Sequence, residues 1–414
     1  MTAGKHPPPH AYTRRSRIRW RTAWSAVLLC TALVASGCGA GREAPGPSLQ
    51  DMEPVTLRYA SFTAPSAAGP FRDFAAEVTE RTGGKIQFDD YWGGSLLTAE
   101  EMADGVGAGV ADMGMFGPDK YPSQFPVSHW ITYLNQMVEP QSPLGLLQGF
   151  AGISEFVLTE EQITEQLREA NLKPLFTFAP ITNYNLACTE PVRTLEEARG
   201  KRVRSGGSFI DGDLEALGMT PVNMPTGDIY TGLQRGVIDC TVAMPKFMVA
   251  YGLWEVASHY TTVPMNGYSQ YEVINLDVWE SLPPDAQQAI EQSLYTWYEG
   301  VLREEGIDYQ ERLQVEGPAE HGLKFHEPAP EMVDAVGAHH DRVVAEMVAD
   351  PPEGLADPAG VIARYETILA EWDERLRLMG YDDPALSVPG ASLDLRPYRA
   401  AVLGRVLPDP GGAR

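Results

Sequence analysis

Positive charge is scarce in this sequence: 32 Lys and Arg stand against 56 Asp and Glu, a formal charge of −24 over 414 residues. That balance excludes nucleic acid as a partner, since contact with a phosphate backbone needs a basic surface. It speaks for solubility rather than for a reaction. Cysteine is scarcer still, at 4, and no CxxC pair occurs, so the usual thiol-redox and cysteine-zinc motifs are absent. HExxH, the phosphate-binding P-loop and GxSxG are missing too, and "GVGAGV" at 105–110 departs from GxGxxG in its last glycine. His339 and His340, beside Asp341, read as the solvated face of a helix rather than as metal ligands. A serine in "SGGS" (205–208) has no base and orienting acid beside it, which leaves a hydrolase poorly supported. No catalytic residue, cofactor or metal is expected.

Long apolar runs are also rare. One, "AWSAVLLCTALVASG" (23–37), follows Lys5, Arg14, Arg15, Arg17, Arg19 and Arg21 and ends at Cys38. A cationic segment, a run too short to span a bilayer comfortably, and small residues before the cut describe a secretory signal over 1–37. "LVASGC" resembles a lipoprotein box, with Cys38 as the lipidated first residue of a mature chain tied to the membrane; an uncleaved anchor or a plain secreted protein are the alternatives. "TRRSRI" weakly resembles a twin-arginine signal and leaves the export route open. Loss of six positive charges and no acidic one takes the formal charge from −24 to −30. Cys188 and Cys240 then remain in the folded part. An oxidising compartment permits them to pair, and their small apolar neighbours suit two buried thiols equally well.

Residues 38–54 carry Gly, Pro and polar residues without periodicity and fit a flexible tether. From Val55 strand and helix patterns alternate. "VTLRYASF" alternates like a strand, Phe71, Phe74, Ala75 and Val78 recur at helical spacing, and "KIQFDDYW" resumes a strand. Thr98 with Glu101 makes a capping box, and "VADMGMF" a third strand. The same grammar returns between Thr194 and "VIDCTVAM". Within it a phrase repeats: "GVGAGVAD" (105–112) and "GLQRGVID" (232–239) share Gly-x3-Gly-Val-x-Asp. Each is read as a helix stop at Gly109 or Gly236 and a buried strand starting at Val110 or Val237, with Asp112 and Asp239 satisfying backbone donors. The pattern predicts an α/β chain with parallel sheets in two similar lobes and a ligand cleft at the carboxyl ends of the strands. The boundaries expected are 55–180 with about 270–300 for lobe 1, and 181–269 with about 301–378 for lobe 2. A helix of about 284–315 spans both, carrying Ile290, Leu294, Trp297 and Val301 on one face, and 384–414 form a loosely held tail.

Against the acidic background "GKRVRSGGSF" stands out. In a strand Arg202 and Arg204 share a face, and Arg204 falls at the carboxyl end, where a cleft ligand would sit. A guanidinium there can hold a carboxylate through two parallel hydrogen bonds; an arginine paired with an internal acid is the alternative.

At these residues the sequence resembles the extracytoplasmic solute-binding proteins of TRAP transporters, of the dicarboxylate-binding type. The likeness covers roughly 55–372. It rests on "FAAEVTERTGGKIQF", "EEMADGVGAGVADMGM", "VINLDVWESLPPDAQQAI" and above all "PVRTLEEARGKRVRSGGSFIDGDLEALGMTPVNMPTGDIYTGLQRGVIDCT". The resemblance implies a two-lobed periplasmic-binding-protein-like fold that closes by a hinge on an organic acid. It implies delivery to the small and large membrane subunits of an ion-gradient-driven permease, with Arg204 gripping the ligand carboxylate. A receptor of an ATP-driven importer is the competing class. Departures matter: where relatives carry a second arginine, spacing places Tyr184, flanked by Asn183 and Asn185; a polar position after the second Gly-Val-x-Asp is Ala243, followed by Met244; and "GGSLLT" after Trp92 replaces the usual turn. With Phe62 and Phe116, the residues Tyr184, Trp92 and Met244 would favour a monoacid with an apolar or aromatic body over a small dicarboxylate. Ser208 and Thr226 complete the candidate ligand set.

Overall fold

The computed structural model describes residues 48–179, 184–387 and 392–409; the export signal, Cys38 and Asn183 lie outside the described residues. Among the described residues no helix is long and apolar enough to cross a membrane. Strands and helices alternate as the periodicity predicts: β1 (Val55–Ala60), helix Gly69–Arg81, β2 (Ile86–Tyr91), helix Met102–Gly107 and β3 (Met113–Phe116). β4 (Leu172–Phe178) follows the helices Leu144–Thr159 and Glu161–Glu169. The grammar then restarts with β5 (Asn185–Cys188), β6 (Arg202–Arg204), helix Ser208–Ala216, β7 (Thr220–Val222), helix Ile229–Gln234 and β8 (Cys240–Ala243). β9 (His259–Thr261), β10 (Gln270–Asn275) and β11 (Lys324–His326) complete two sheets, ordered β2-β1-β3-β10-β4 and β11-β9-β5-β8-β6-β7.

The sheets share one plan. β1 runs parallel to β2 and β3, and β6 parallel to β7 and β8. The next strand is antiparallel in both, β10 beside β3 and β5 beside β8. The expected all-parallel sheets are therefore corrected to mixed ones. The reason is the route of the chain: β5 and β10 are the strands it enters on arriving from the other sheet.

The repeated phrase has a side-chain cause that its spacing only half disclosed. Asp112 accepts the Arg58 backbone N–H at 2.8 Å and the Arg58 guanidinium at 3.0 Å, and that guanidinium also donates to the Gly109 carbonyl at 2.9 Å. In the second lobe Asp239 accepts the Arg202 N–H at 2.8 Å and its guanidinium at 2.8 Å, while Arg202 donates to the Gly236 carbonyl at 2.8 Å. Each clamp ties a helix end to the neighbouring strand. Gly109 and Gly236 adopt φ of +75° and +67°, the left-handed region where glycine is favoured. A side chain at Gly105 or Gly232 would strike Leu97 or Met224. Val110 and Val237 are 43% and 50% exposed, so the buried strands begin three residues later than expected, at Met113 and Cys240. The clamp holds the turn, leaving these valines without a core to fill.

Over the first sheet, Phe71, Phe74 and Val78 of one helix interleave with Ile290, Leu294 and Trp297 of another. Tyr59 stacks on Phe71 at 3.9 Å and Phe74 on Trp297 at 4.9 Å between ring centroids. The second lobe has its own clusters around Leu186, Val203, Leu214 and Val242, and around Ile229, Met248 and Tyr260. The helix Pro284–Arg303 continues through one π turn, Glu304–Asp308, into Tyr309–Glu320, so that Leu302 packs in the first lobe and Leu313 in the second. A second connector, the helix Pro330–Ala349, buries Met332 and Val336 in lobe 2 and Met347 in lobe 1.

Two boundaries need correction. The helix Pro358–Leu378, assigned by sequence to lobe 2, packs Tyr365, Leu369 and Trp372 into lobe 1. The stretch 392–409, expected to be loose, forms the helix Arg396–Val402, buries Tyr398, Val402 and Leu407, and pairs the Tyr398 and Tyr298 hydroxyls at 2.7 Å. Its Pro and Gly content masked a short apolar face. Cys188 and Cys240 are register partners of β5 and β8, and their sulfurs are joined as a disulfide.

Asp112→Ala strands the Arg58 N–H beside a mostly buried site, and urea unfolding should record a loss of about 1–3 kcal/mol. Asp239→Ala, in the more exposed clamp, should lose less, about 1 kcal/mol or below. Peptide mass mapping after alkylation should label Cys188 and Cys240 only when reductant is present.

Candidate functional site in the inter-lobe cleft

β6 ends at Arg204 and opens into Ser205, Gly206 and Gly207. The arginine is 7% exposed. Its Nε donates to the Met224 carbonyl at 3.2 Å and its Nη2 to the Thr226 hydroxyl at 3.1 Å. Among the described residues it forms no ion pair with a carboxylate. Burial draws its pKa below the ordinary arginine value, with Tyr184 and Tyr251 acting the other way. A buried guanidinium held by neutral oxygens keeps donors and charge to spare, and a carboxylate is the group that would use both.

Tyr184 lies next to it, with its ring 5.4 Å from Tyr268 and 6.4 Å from Phe209. Burial raises the Tyr184 hydroxyl far above its usual range; Arg204 opposes that rise, while Asp119 and Glu305 add to it. The tyrosine thus stands in the field of a cation on one side and acids on the other. A chamber of about 30 Å³ lies at the carboxyl end of the first sheet, bordered by Ser61 after β1, Trp92 after β2, Met115 and Phe178. Tyr59 and Glu272 form one wall. Lys246, Glu304 and Glu305 form another, supplied by the segment after β8 and by the π turn.

The electrostatics of the chamber are unusual for an interior. Lys246, 7% exposed, is hydrogen-bonded to Glu305 Oε1. Burial lowers its pKa, but Glu305 and Glu304 more than offset this and leave it raised. Glu272 is 1% exposed and takes a long hydrogen bond of 3.3 Å from the Tyr59 hydroxyl. Burial raises its pKa well above the carboxylate range, which favours the neutral form. Burial also pushes Glu304 up to about 7, with Lys246 pulling down and Glu305 and Asp308 adding to the rise.

The lobes meet across the cleft at one further point. Lys120 of lobe 1 donates to the Gly206 carbonyl at 3.3 Å and pairs with Asp119 at 2.9 Å. Asp119 lies so near Gly207 that an added Cβ there would come within 3.4 Å of its carboxylate. The described form is therefore closed at this edge.

Of the residues singled out from sequence, Arg204, Thr226 and Tyr184 come together. Met244, 1% exposed, reaches the Tyr268 hydroxyl through its sulfur at 3.8 Å. Trp92 lines the chamber, its indole N–H donating to Asp90 at 2.6 Å. Phe62 is half-buried between the two cores of lobe 1. Phe116 is displaced from the expected site: it is fully buried against Tyr121, Phe125 and Tyr271, because its strand position points it to the face opposite Met115. Ser208 is exposed at the start of its helix. Asn185 turns to the Tyr260 hydroxyl at 3.2 Å and, with Tyr184, borders a separate cavity of about 360 Å³ among the crossing segments. The His pair is corrected as well: His340 Nε2 lies 2.8 Å from Asp213, a 1% exposed carboxylate that also accepts the Asn266 N–H, so these rings brace the helix Pro330–Ala349 against lobe 2. Sequence reasoning passed over Lys246, Glu272, Glu304 and Glu305. A lysine directly after a buried strand in "AMPKF" and a glutamate inside the apolar strand "QYEVIN" were the available signals.

Two matched α/β lobes joined by crossing segments, with buried charges facing the gap between them, define a two-lobed binding protein. Residues 63–350 match the family described as bacterial extracellular solute-binding protein, family 7, and the chain belongs to that family. A solute-binding protein of Albidiferax ferrireducens is 25% identical over 236 residues, covering 54% of this chain and 65% of that one. The C4-dicarboxylate-binding periplasmic protein DctP of Rhodobacter capsulatus is 29% identical over 147 residues, 34% and 43% of the two chains. The alignment thus spans under two thirds of either relative. Among solved structures, a TRAP solute-binding protein of Rhodoferax ferrireducens in complex with copurified benzoate superposes with a TM-score of 0.66 at 17% identity, covering 77% of this chain and 99% of that one. The fold is that of the two-lobed TRAP periplasmic binding proteins.

Because the folded Glu304 keeps its proton to about 7 against an ordinary 4.5, its contribution to stability is full below about 4.5 and is lost as pH rises through 7. Glu304→Gln should therefore raise Tm at pH 8 and leave it nearly unchanged at pH 5; an equal effect at both pH values would contradict the assignment.

Proposed function

We propose that this chain is an extracytoplasmic receptor, anchored by lipid on Cys38, that captures an organic acid between its lobes. It then hands the acid to the small and large membrane subunits of an ion-gradient-driven TRAP permease. The observation that carries the reading is Arg204: buried at the carboxyl end of its strand, held only by the Met224 carbonyl and the Thr226 hydroxyl, with no acid of its own among the described residues. The dicarboxylate named for the Rhodobacter relative and the benzoate of the Rhodoferax structure are both carboxylates, in keeping with that role.

Binding draws on closure. A carboxylate on Arg204 neutralises a buried cation, and contacts such as Lys120 to Gly206 form only when the lobes approach, so a ligand touching both lobes shifts the population toward the closed form. The long-range field opposes anion capture, since the chain is acidic throughout, and affinity must come from donors at short range. Tyr184, Trp92 and Met244 supply apolar and aromatic surface and favour a monoacid with an apolar or aromatic body.

Arg204→Ala should weaken binding of benzoate in titration calorimetry by roughly 30-fold to a few thousand-fold, equivalent to about 2–5 kcal/mol. A clear preference for succinate over benzoate in the unmutated protein would overturn the ligand class.

A further inference from the structure

Charge is unevenly matched in the chamber beside Tyr59. Its walls carry three carboxyl groups, Glu272, Glu304 and Glu305, and a single cation, Lys246. Lys246 is committed to Glu305 Oε1. Glu305 Oε2 has no hydrogen-bond partner although the residue is only 8% exposed, and Glu304 Oε1 is likewise buried without one. A carboxylate oxygen accepts hydrogen bonds and cannot donate them, so what Glu305 Oε2 requires is a donor. Leaving buried acceptors unpaired is costly, and a donor arriving with a ligand removes that cost. The remaining walls include the aromatic rings of Tyr59, Trp92 and Trp297, and an aromatic face attracts a cation. A second ligand carboxylate is a poor occupant, since it would meet the Glu305 carboxylate and find Lys246 already engaged. The volume of about 30 Å³ suits a small head group.

We propose that this chamber takes the ammonium end of a ligand whose carboxylate is held by Arg204, so that the ligand class is a zwitterion with its amine remote from its carboxylate and an apolar or aromatic middle. This rests on the carboxylate reading of Arg204 given above. Tyr184, whose ring lies beside Gly206 just past Arg204, offers aromatic surface for the middle of the ligand. Selectivity against simple acids follows: an acid lacking the amine leaves Glu305 Oε2 and Glu304 Oε1 unpaired.

The test uses matched pairs that differ only at the far end: 4-(aminomethyl)benzoate against 4-methylbenzoate, and 5-aminopentanoate against pentanoate, titrated calorimetrically into the mature protein at neutral pH. The amine should bind tighter than its methyl partner by at least about tenfold in one pair or both. Glu305→Gln and Glu304→Gln should each shrink that ratio, and Glu304→Gln, which keeps the Lys246–Glu305 pair, should leave the methyl compounds nearly unaffected. Glu304→Gln leaves the Lys246–Glu305 pair intact and serves if Glu305→Gln fails to fold. Methyl compounds that bind as well as their amines, or a ratio unchanged in the variants, overturn the chamber assignment alone. If no compound binds, or if Arg204→Ala binds all of them undiminished, the carboxylate reading falls and this one with it.

Discussion

A guanidinium removed from water and given only neutral oxygens to lean on is the constraint around which the cleft is organised. Arg204 cannot shed its charge as a buried lysine or carboxyl can, so its environment must supply acceptors or wait for an anion. β6 delivers it to the strand end, the Met224 carbonyl and Thr226 hydroxyl fix its direction, and Tyr184 covers it. The other buried charges are handled differently. Lys246 is neutralised by Glu305 at once, and Glu272 is pushed by burial toward its neutral form. Among the described residues the cleft therefore offers one uncompensated cation, Arg204, and a separate pair of glutamates with unpaired oxygens.

The scaffold that presents these groups is one plan built twice. Each lobe sets three parallel strands beside one antiparallel strand that has crossed from its neighbour, and locks a helix-to-strand turn with an arginine on an aspartate. The clamps lie at the amino ends of β3 and β8 and the groups proposed to bind ligand at the carboxyl ends, so the two occupy opposite rims of the sheets. Substitutions at one rim leave the other largely free.

Much of this could be read from the chain. Period-two and helical patterns located the strands and helices of both lobes, the Gly-Val-x-Asp phrase marked their common turn, and the placement of Arg204 before two glycines put it at the carboxyl end of its strand, where the structure has it buried. What escaped had specific physical causes. Strand direction depends on the path between lobes, which no local pattern encodes. Phe116 was assigned to the cleft by its chemistry, whereas the pleat points it into the core. Lys246, Glu272 and Glu305 are charged residues in apolar surroundings, and their burial emerges only when β8, β10 and the connecting helix converge. The apolar face of Tyr398, Val402 and Leu407 was hidden by the Pro and Gly around it.

The helical connector 284–320 runs from one lobe into the other, and its single change of pitch falls at Glu304–Asp308. Any swing of one lobe against the other loads this shaft, and the wider turn is its most compliant section. Because the same turn carries the glutamates of the chamber, a pivot there would coincide with the proposed amine site. Cargo that presses on those side chains presses on the pivot itself, and no relay is needed to couple occupancy to posture.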